Sequence, residues 1–271
     1  MQTTEEGLPL RLRLCAADQP GFVLLPDFAG PGVAQGMLRE VVAIARAAEA
    51  GRDVAPALVM EESQPGFRGE RAEDRVSKVF RLHRLGPFRR FLAEPGVVRI
   101  LLDAIGPDVD CFLSQFIFKN PGAWGQPWHQ DAWYFAFEPA RPVVGLWLAV
   151  TEATLRNGCL HVLPGSQREP VQPHHPDPRP GSLYGYMEVP GVDARASHPC
   201  LLRPGDLLVF DSHLLHRSTD NHSSTPRAAM VWHLAVAGTR DRGVEGPDGR
   251  FVPSPVHDWM PVLRGGDPVI G

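Results

Sequence analysis

Between residues 111 and 236 the chain is cut into short apolar runs: CFLSQFIF (111–118), VVGLWLAV (143–150), CLHVL (159–163), LLVFD (207–211) and AAMVWHLAV (228–236). Each is shorter than an ordinary globular helix and rich in β-branched and aromatic side chains. Turn residues bound most of them, so each reads as a strand. The connections are long for hairpins, which favours a sandwich or squat barrel over a meander. With 28 Pro and 27 Gly in 271 residues, the same chain shares its turn-residue content with disordered ones. A hydrophobic share of 43% against 21% charged residues argues for a packed core with many loops instead.

The first hundred residues follow a different period. Gly21 to Leu25 reads as a short strand. Pro31 opens a helix to about Ala50, with Met37, Val41, Ile44, Ala45 and Ala48 on one face and Gly51 at the exit. Residues 87–105 read as two helical pieces broken at Pro95 and ended by Gly106-Pro107. The expected organisation is one domain over 1–271: a helical part to about 108, a β core over about 109–237, and a tail from 238 to 271 that is an ordered flap or a loose end. Residues 161–205 hold 9 Pro and 5 Gly, which marks an insertion expected to act as a lid that shapes substrate access.

Charge and cysteine use exclude several classes. A net charge of -4 leaves no basic field for nucleic acid. No window of eighteen apolar residues exists to span a membrane. The start, MQTTEEGLPLRLRLC, lacks the apolar core of a secretory signal. Cys15, Cys111, Cys159 and Cys200 lie far apart with no CxxC. They are expected as buried or free thiols in a reducing cytoplasm.

The chemistry-bearing residues centre on Trp128-His129-Gln130-Asp131. In extended chain, residues two apart point to one side, so His129 and Asp131 can grip one ion. A third ligand from a distant strand would complete a two-histidine, one-carboxylate facial triad, the geometry of non-haem Fe(II) oxygenases. Both His213 and His216, at the end of the LLVFD run, are candidates, and spacing does not choose between them. A second His-x-Asp, His175-Pro176-Asp177, sits in proline-rich backbone poorly suited to strand geometry. Arg227 begins an apolar run, where a guanidinium is costly unless paired, and a bound dicarboxylate would pair it bidentately. His161 and His233, within apolar runs, read as core histidines. Against 25 Arg the chain has only Lys78 and Lys119, which draws attention to both lysines.

Taken together, HQD, GLWLAV, NGCLHVLPGS, GDLLVFDSHLLHRSTDN and PRAAMVWHL resemble the phytanoyl-CoA dioxygenase family of Fe(II)- and 2-oxoglutarate-dependent oxygenases. Order and approximate spacing match over roughly residues 75–236, more weakly over 20–50. The resemblance implies a double-stranded β-helix (jelly-roll) core with N-terminal helices packed on one sheet. It implies metal ligands His129, Asp131 and His216, with Arg227 on the distal carboxylate of 2-oxoglutarate and Ser218 assisting. Trp147, Gln115 and Lys78 fall on positions that line the cosubstrate pocket, and Trp133 and Tyr134 are candidates for the substrate entrance. Fe(II), 2-oxoglutarate and O2 are the implied cofactor and cosubstrates, with ascorbate stimulatory and a small molecule as prime substrate. The carboxylate ligand argues for hydroxylation or a related oxidation over halogenation, since the family's halogenases lack it. Arg81, Arg84, Arg89 and Arg90 would be the place for a CoA moiety, although a solvated helix face is the favoured reading. Two other classes remain compatible with the residues: a cupin-like metal enzyme without 2-oxoglutarate, and a catalytically silent binding module.

Overall fold

The computed structural model describes residues 14, 18–140, 142–180, 182, 186–245 and 251–269. Cys15 and part of the proline-rich insertion lie outside them. The N-terminal part runs β1 (Phe22–Leu25), α1 (Pro31–Glu49), β2 (Leu58–Glu61), the single turn α2 (Ala72–Arg75), β3 (Val76–Phe80), α3 (Gly86–Leu92) and α4 (Pro95–Ala104). The two helical pieces expected around Pro95 are α3 and α4, and the long first helix is α1, with Pro31 at its first position. The stretch read as helical also contains β2 and β3, which were too short and interrupted to stand out as an alternating pattern.

All five apolar runs are strands: β4 (Val109–Lys119), β6 (Val143–Ala149), β7 (Leu160–Val162), β11 (Leu207–Asp211) and β13 (Arg227–Val236). Between them lie β5 (Phe137–Glu138), β8 (His175–Pro176), β9 (Met187–Glu188), β10 (His198–Cys200) and β12 (His216–Ser218). The tail adds β14 (Arg240–Asp241), β15 (Val244–Glu245), β16 (Phe251–Val252), β17 (Met260–Arg264) and β18 (Asp267–Pro268). A large antiparallel sheet has the order β1-β11-β6-β13-β4-β17-β18, with β3 on β4 and β2 on β3. A smaller sheet, β10-β7-β12, closes the jelly roll opposite it. Part of the tail joins the large sheet: β17 pairs with residues 109–111 of β4, beside β3 on residues 115–117.

Period-two alternation divides each central strand between two environments. Val144, Leu146 and Leu148 of β6, with Ala228, Met230, Trp232 and Leu234 of β13, face the helices and join Met37, Phe88, Phe91 and Leu101 in one core. Phe91 stacks on Trp232 at 4.9 Å, tying α3 to the sheet. The opposite residues, including Trp147, Ala149, Leu208, Phe210, Ala229 and Val231, face the smaller sheet and form a second core. Gly145 belongs to this inner face, and a Cβ there would strike the Phe210 ring. Among the described residues, no helix is long and apolar enough to cross a membrane.

The tail is locked to the body through a turn at Leu82–Arg84. His83 is fully buried. Its Nε2 donates to the Asp258 carbonyl (2.7 Å), while Nδ1 meets Ser114 Oγ at 2.7 Å. A carbonyl only accepts, so the neutral Nε2–H tautomer fits and Ser114 donates to Nδ1. Burial pushes the His83 pKa down to about 4 from its ordinary 6.5. The folded state therefore resists a proton that the unfolded chain accepts. The His83 contribution to stability should be constant above pH 6.5, be lost between pH 6.5 and 4, and change no further below. This group should contribute on the order of 3 kcal/mol of that loss. Chemical denaturation across that range checks it. His83→Phe should flatten the slope, although His174 and His216, also pushed down to about 4 by burial, keep part of it.

Candidate active site

His129 and His216 are joined by their own backbones before their side chains meet. Each N–H donates to the other's carbonyl at 3.0 Å, an isolated bridge that brings the end of one loop against the start of β12. Their ring centroids lie 4.1 Å apart. His129 Nδ1 donates to Pro127 O (2.8 Å) and His216 Nδ1 to Leu214 O (3.0 Å). Because carbonyls only accept, the proton sits on Nδ1 in both rings, and both Nε2 lone pairs face inward. Asp131, the first residue of the short turn Asp131–Tyr134, brings Oδ1 to 3.5 Å from His129 Nε2 and 3.7 Å from His216 Nε2. The three buried side chains offer ligand atoms within 4.8 Å of one another. Two bare imidazole nitrogens and one carboxylate oxygen are the donor set that suits a divalent transition metal.

The electrostatics agree with that use. Burial pushes the Asp131 carboxyl up. The neighbouring His216 and His233, with the hydrogen bond from His233, outweigh this and hold it well below the usual carboxylate range. Burial pushes His216 down to about 4, aided by His129, so its ring is neutral and can ligate at pH 7. His213, the other candidate, is turned away. Its Nδ1 lies 3.5 Å from Asp211 Oδ1, and its ring lines a separate cleft.

His233 corrects the expectation of an ordinary core histidine. Its Nε2 lies 2.8 Å from Asp131 Oδ2. An ionised carboxylate only accepts, so Nε2 donates. That fixes the carboxylate plane and leaves Oδ1 facing the two histidines. His161 also departs from expectation: it is half-buried on β7, and its Nδ1 lies 3.5 Å from Ser197 Oγ.

At the other end of the site, Arg227 is 2% exposed, and its Nε and Nη1 have no partner. Its guanidinium carbon lies 5.5 Å from the centre of the Trp147 ring. Burial pushes its pKa down to about 10. Antiparallel register sets Lys119 directly across from it. Lys119 is also buried, and its Nζ donates to Ser218 Oγ (2.7 Å) and Thr219 O (2.6 Å). Burial, then the Arg227 charge, holds it well below its ordinary pKa. Two desolvated cations face each other with no hydrogen-bonded carboxylate among the described residues, so a bound anion would be strongly favoured. The Asn157-Gly158 turn makes room for this arrangement. Gly158 has φ +81°, and a Cβ there would meet the Lys119 side chain and Thr219 O. Nothing in the sequence gave Lys119 a role; its rarity at the end of an apolar run was the available signal.

Both ends open on one cavity of about 270 Å³, lined by His129, Asp131, His216, Arg227, Ser218 and Trp147 together with Gln115, Lys78 and Tyr134. Alternation explains the convergence: Gln115 and Trp147 both lie opposite Val231 on the same inner face. Burial pushes the Lys78 ammonium down to about 8, and its Nζ sits 5.0 Å from the centre of the Tyr186 ring. Trp133 does not line the cavity. It is 42% exposed and stacks on His174 at 4.7 Å, because the turn that starts at Asp131 rotates it outward. The insertion supplies Tyr186, and the tail supplies Ser254, Val256 and His257, so both segments wall the cavity. The second His-x-Asp is spent on structure: His175 is exposed, and Asp177 is forked by Arg179. The arginine cluster is likewise partly committed. Arg84 forks on Asp258 (2.8 and 2.7 Å), and Arg81 Nη2 donates to Pro255 O (2.6 Å).

This architecture is that of known iron and 2-oxoglutarate enzymes. EctD from S. alaskensis, solved with 2-oxoglutarate and 5-hydroxyectoine, superposes with TM-score 0.67 at 20% identity over 99% of this chain and 88% of that one. The epimerase SnoN, solved with Fe3+, α-ketoglutarate and nogalamycin RO, gives 0.63 at 20% identity over 97% and 94%. At the sequence level the profile of the phytanoyl-CoA dioxygenase (PhyH) family matches residues 17–229, and the chain belongs to that family. It is similar to phytanoyl-CoA dioxygenase domain-containing protein 1 of Rattus norvegicus, 34% identical over 166 residues, 58% of this chain and 56% of that protein. It is also similar to the peroxisomal phytanoyl-CoA dioxygenase of Bos taurus, 29% identical over 195 residues, 69% and 57%. The chain thus spans little more than half the length of these relatives.

The His233 contact yields a test that needs no substrate. His233→Ala should weaken divalent-metal affinity about 10- to 100-fold by freeing the Asp131 carboxylate, measured by calorimetry with Mn(II) or Ni(II). His233→Gln, which retains an N–H donor, should recover part of it.

Proposed function

We propose that the protein is an Fe(II)- and 2-oxoglutarate-dependent dioxygenase that hydroxylates an unactivated C–H bond of a small organic substrate. The observation that carries this is the buried Arg227, with two unpaired guanidinium nitrogens, on the same cavity as the His129, Asp131 and His216 donor set. A metal enzyme that did not use a dicarboxylate would have no counter-ion for that charge, and a silent module would have no use for either end.

In this reading His129 Nε2, Asp131 Oδ1 and His216 Nε2 hold the iron. Arg227 grips the distal carboxylate of 2-oxoglutarate through its unpaired nitrogens, and the Ser218 hydroxyl, already oriented by Lys119, supports the same group. Trp147 packs under the guanidinium and keeps water from it. Lys78 and Gln115 border the cosubstrate from β3 and β4. When bound, Fe(II) with 2-oxoglutarate and O2 supplies an oxidant strong enough for an unactivated C–H bond, with release of succinate and CO2. Tyr186 and the tail residues narrow the cavity, position the substrate over the metal and keep solvent out. A free small metabolite is the favoured substrate class over a CoA thioester, because Arg81 and Arg84 already hold the tail.

Succinate release from 2-oxoglutarate in the presence of Fe(II), O2 and ascorbate tests the activity. Arg227→Ala should raise the 2-oxoglutarate KM by about 100-fold or more, the effect of breaking a buried charge pair, and Arg227→Lys should recover part of it. An unchanged KM would remove Arg227 from the cosubstrate site.

A further inference from the structure

His257 comes from the tail, far in sequence from the metal-site residues, yet its ring lines their cavity. Its Nδ1 lies 2.8 Å from Asp241 Oδ2. The same oxygen accepts from Trp259 Nε1 at 3.0 Å, and Asp241 Oδ1 accepts from Gly243 N at 2.8 Å. Burial pushes the Asp241 carboxyl up, but these donors, with the His257 ring, hold it below its ordinary value. Asp241 is therefore an ionised acceptor at neutral pH, and the His257 proton is fixed on Nδ1. Nε2 is left as a bare lone pair with no hydrogen-bond partner among the described residues.

That lone pair is held in place from three directions. Asp241 lies in the ribbon of β14 with β5. Phe112, Phe135 and Phe137 meet the His257 ring edge-on, with centroids at 5.4, 5.8 and 5.7 Å. The flanking tail is clamped by Arg81 on Pro255 O, and by His83 and Arg84 on Asp258. A rotation of the ring would break the Asp241 bond. Phe80, Phe135 and Val256 line the same cavity, with Ser254, Gln115 and Lys78 among its polar groups, and the Tyr134 hydroxyl already accepts from Met187 N at 3.1 Å.

We propose that His257 Nε2 is the hydrogen-bond acceptor that recognises the prime substrate, which therefore belongs to the class of molecules carrying a hydroxyl or N–H donor near the carbon that is oxidised. The proposal rests on the oxygenase reading of the cavity and adds the substrate's chemistry to it. A ligand that covers Nε2 without offering a donor strands a desolvated acceptor, at roughly 10- to 100-fold in affinity, or about 1.4–2.8 kcal/mol. Discrimination between an alcohol and its ketone, of nearly equal shape, is thus built into the site.

The full chain, loaded with diamagnetic Zn(II) and 2-oxoglutarate and labelled with 15N-histidine, tests this by NMR with cyclohexanol and cyclohexanone as the probes. The His257 resonances should report the Nδ1–H tautomer. Nε2 should shift saturably with cyclohexanol, with at least about 10-fold weaker response to cyclohexanone. Asp241→Asn, which can leave the proton on either nitrogen, should reduce that preference, and His257→Phe should abolish it. An Nε2–H tautomer, an equal response to both probes, or no response to cyclohexanol would each overturn the proposal. A prior titration with 2-oxoglutarate separates the two readings. Failure to bind it removes the cosubstrate assignment, whereas binding followed by an indifferent His257 removes only the substrate assignment.

Discussion

Uncompensated charge inside a β-sandwich governs this molecule. Arg227, Lys119 and Asp131 are all buried, in a fold whose interior is otherwise Trp147, Phe210, Val231 and similar side chains. Asp131 is accounted for by three histidines. Lys119 is accounted for by a hydroxyl and a carbonyl. Arg227 keeps two nitrogens without partners. A core tolerates such a group only if something binds it in the working state, since the desolvation cost amounts to several kcal/mol. The strand alternation follows this requirement: the inner faces of β4 and β13 carry Lys119, Arg227 and His233, and the outer faces of the central strands carry Trp232, stacked on Phe91, and the rest of the helical core.

The precision of the metal end comes from backbone, and its shape from remote segments. The paired bonds between His129 and His216 fix two loops against each other, and each ring is then oriented by the carbonyl two residues earlier. His233 adds the same service for the carboxylate. The cavity walls are set by elements outside the jelly roll: Tyr186 from the proline-rich insertion and His257 from the tail. These are the loop-borne positions at which one scaffold can be adapted to different substrates.

The apolar runs announced β4, β6, β7, β11 and β13 because strand pattern is local information. His129 and Asp131 were legible for the same reason, being two residues apart. Choosing His216 over His213 needed the family resemblance, because the decision depends on which histidine the fold bridges to His129. Lys119 and His233 stayed hidden because their roles are set by register, one opposite Arg227 and the other against Asp131. His257 was invisible because the clamp that presents it joins Arg81, His83 and Arg84 to residues more than 170 positions later. Trp133, next to the metal motif in sequence, stands outside the site because the turn beginning at Asp131 directs it to solvent.

The account stands most directly on one anaerobic titration. Fe(II) is added to the full chain, then 2-oxoglutarate, and the visible charge-transfer absorption is followed with iron content measured in parallel. The expected result is one Fe(II) per chain and a band that grows to saturation at one 2-oxoglutarate per iron. Iron that binds without any such band, or a band that persists undiminished in His129→Ala, would contradict the joint assignment of the metal and cosubstrate to this cavity.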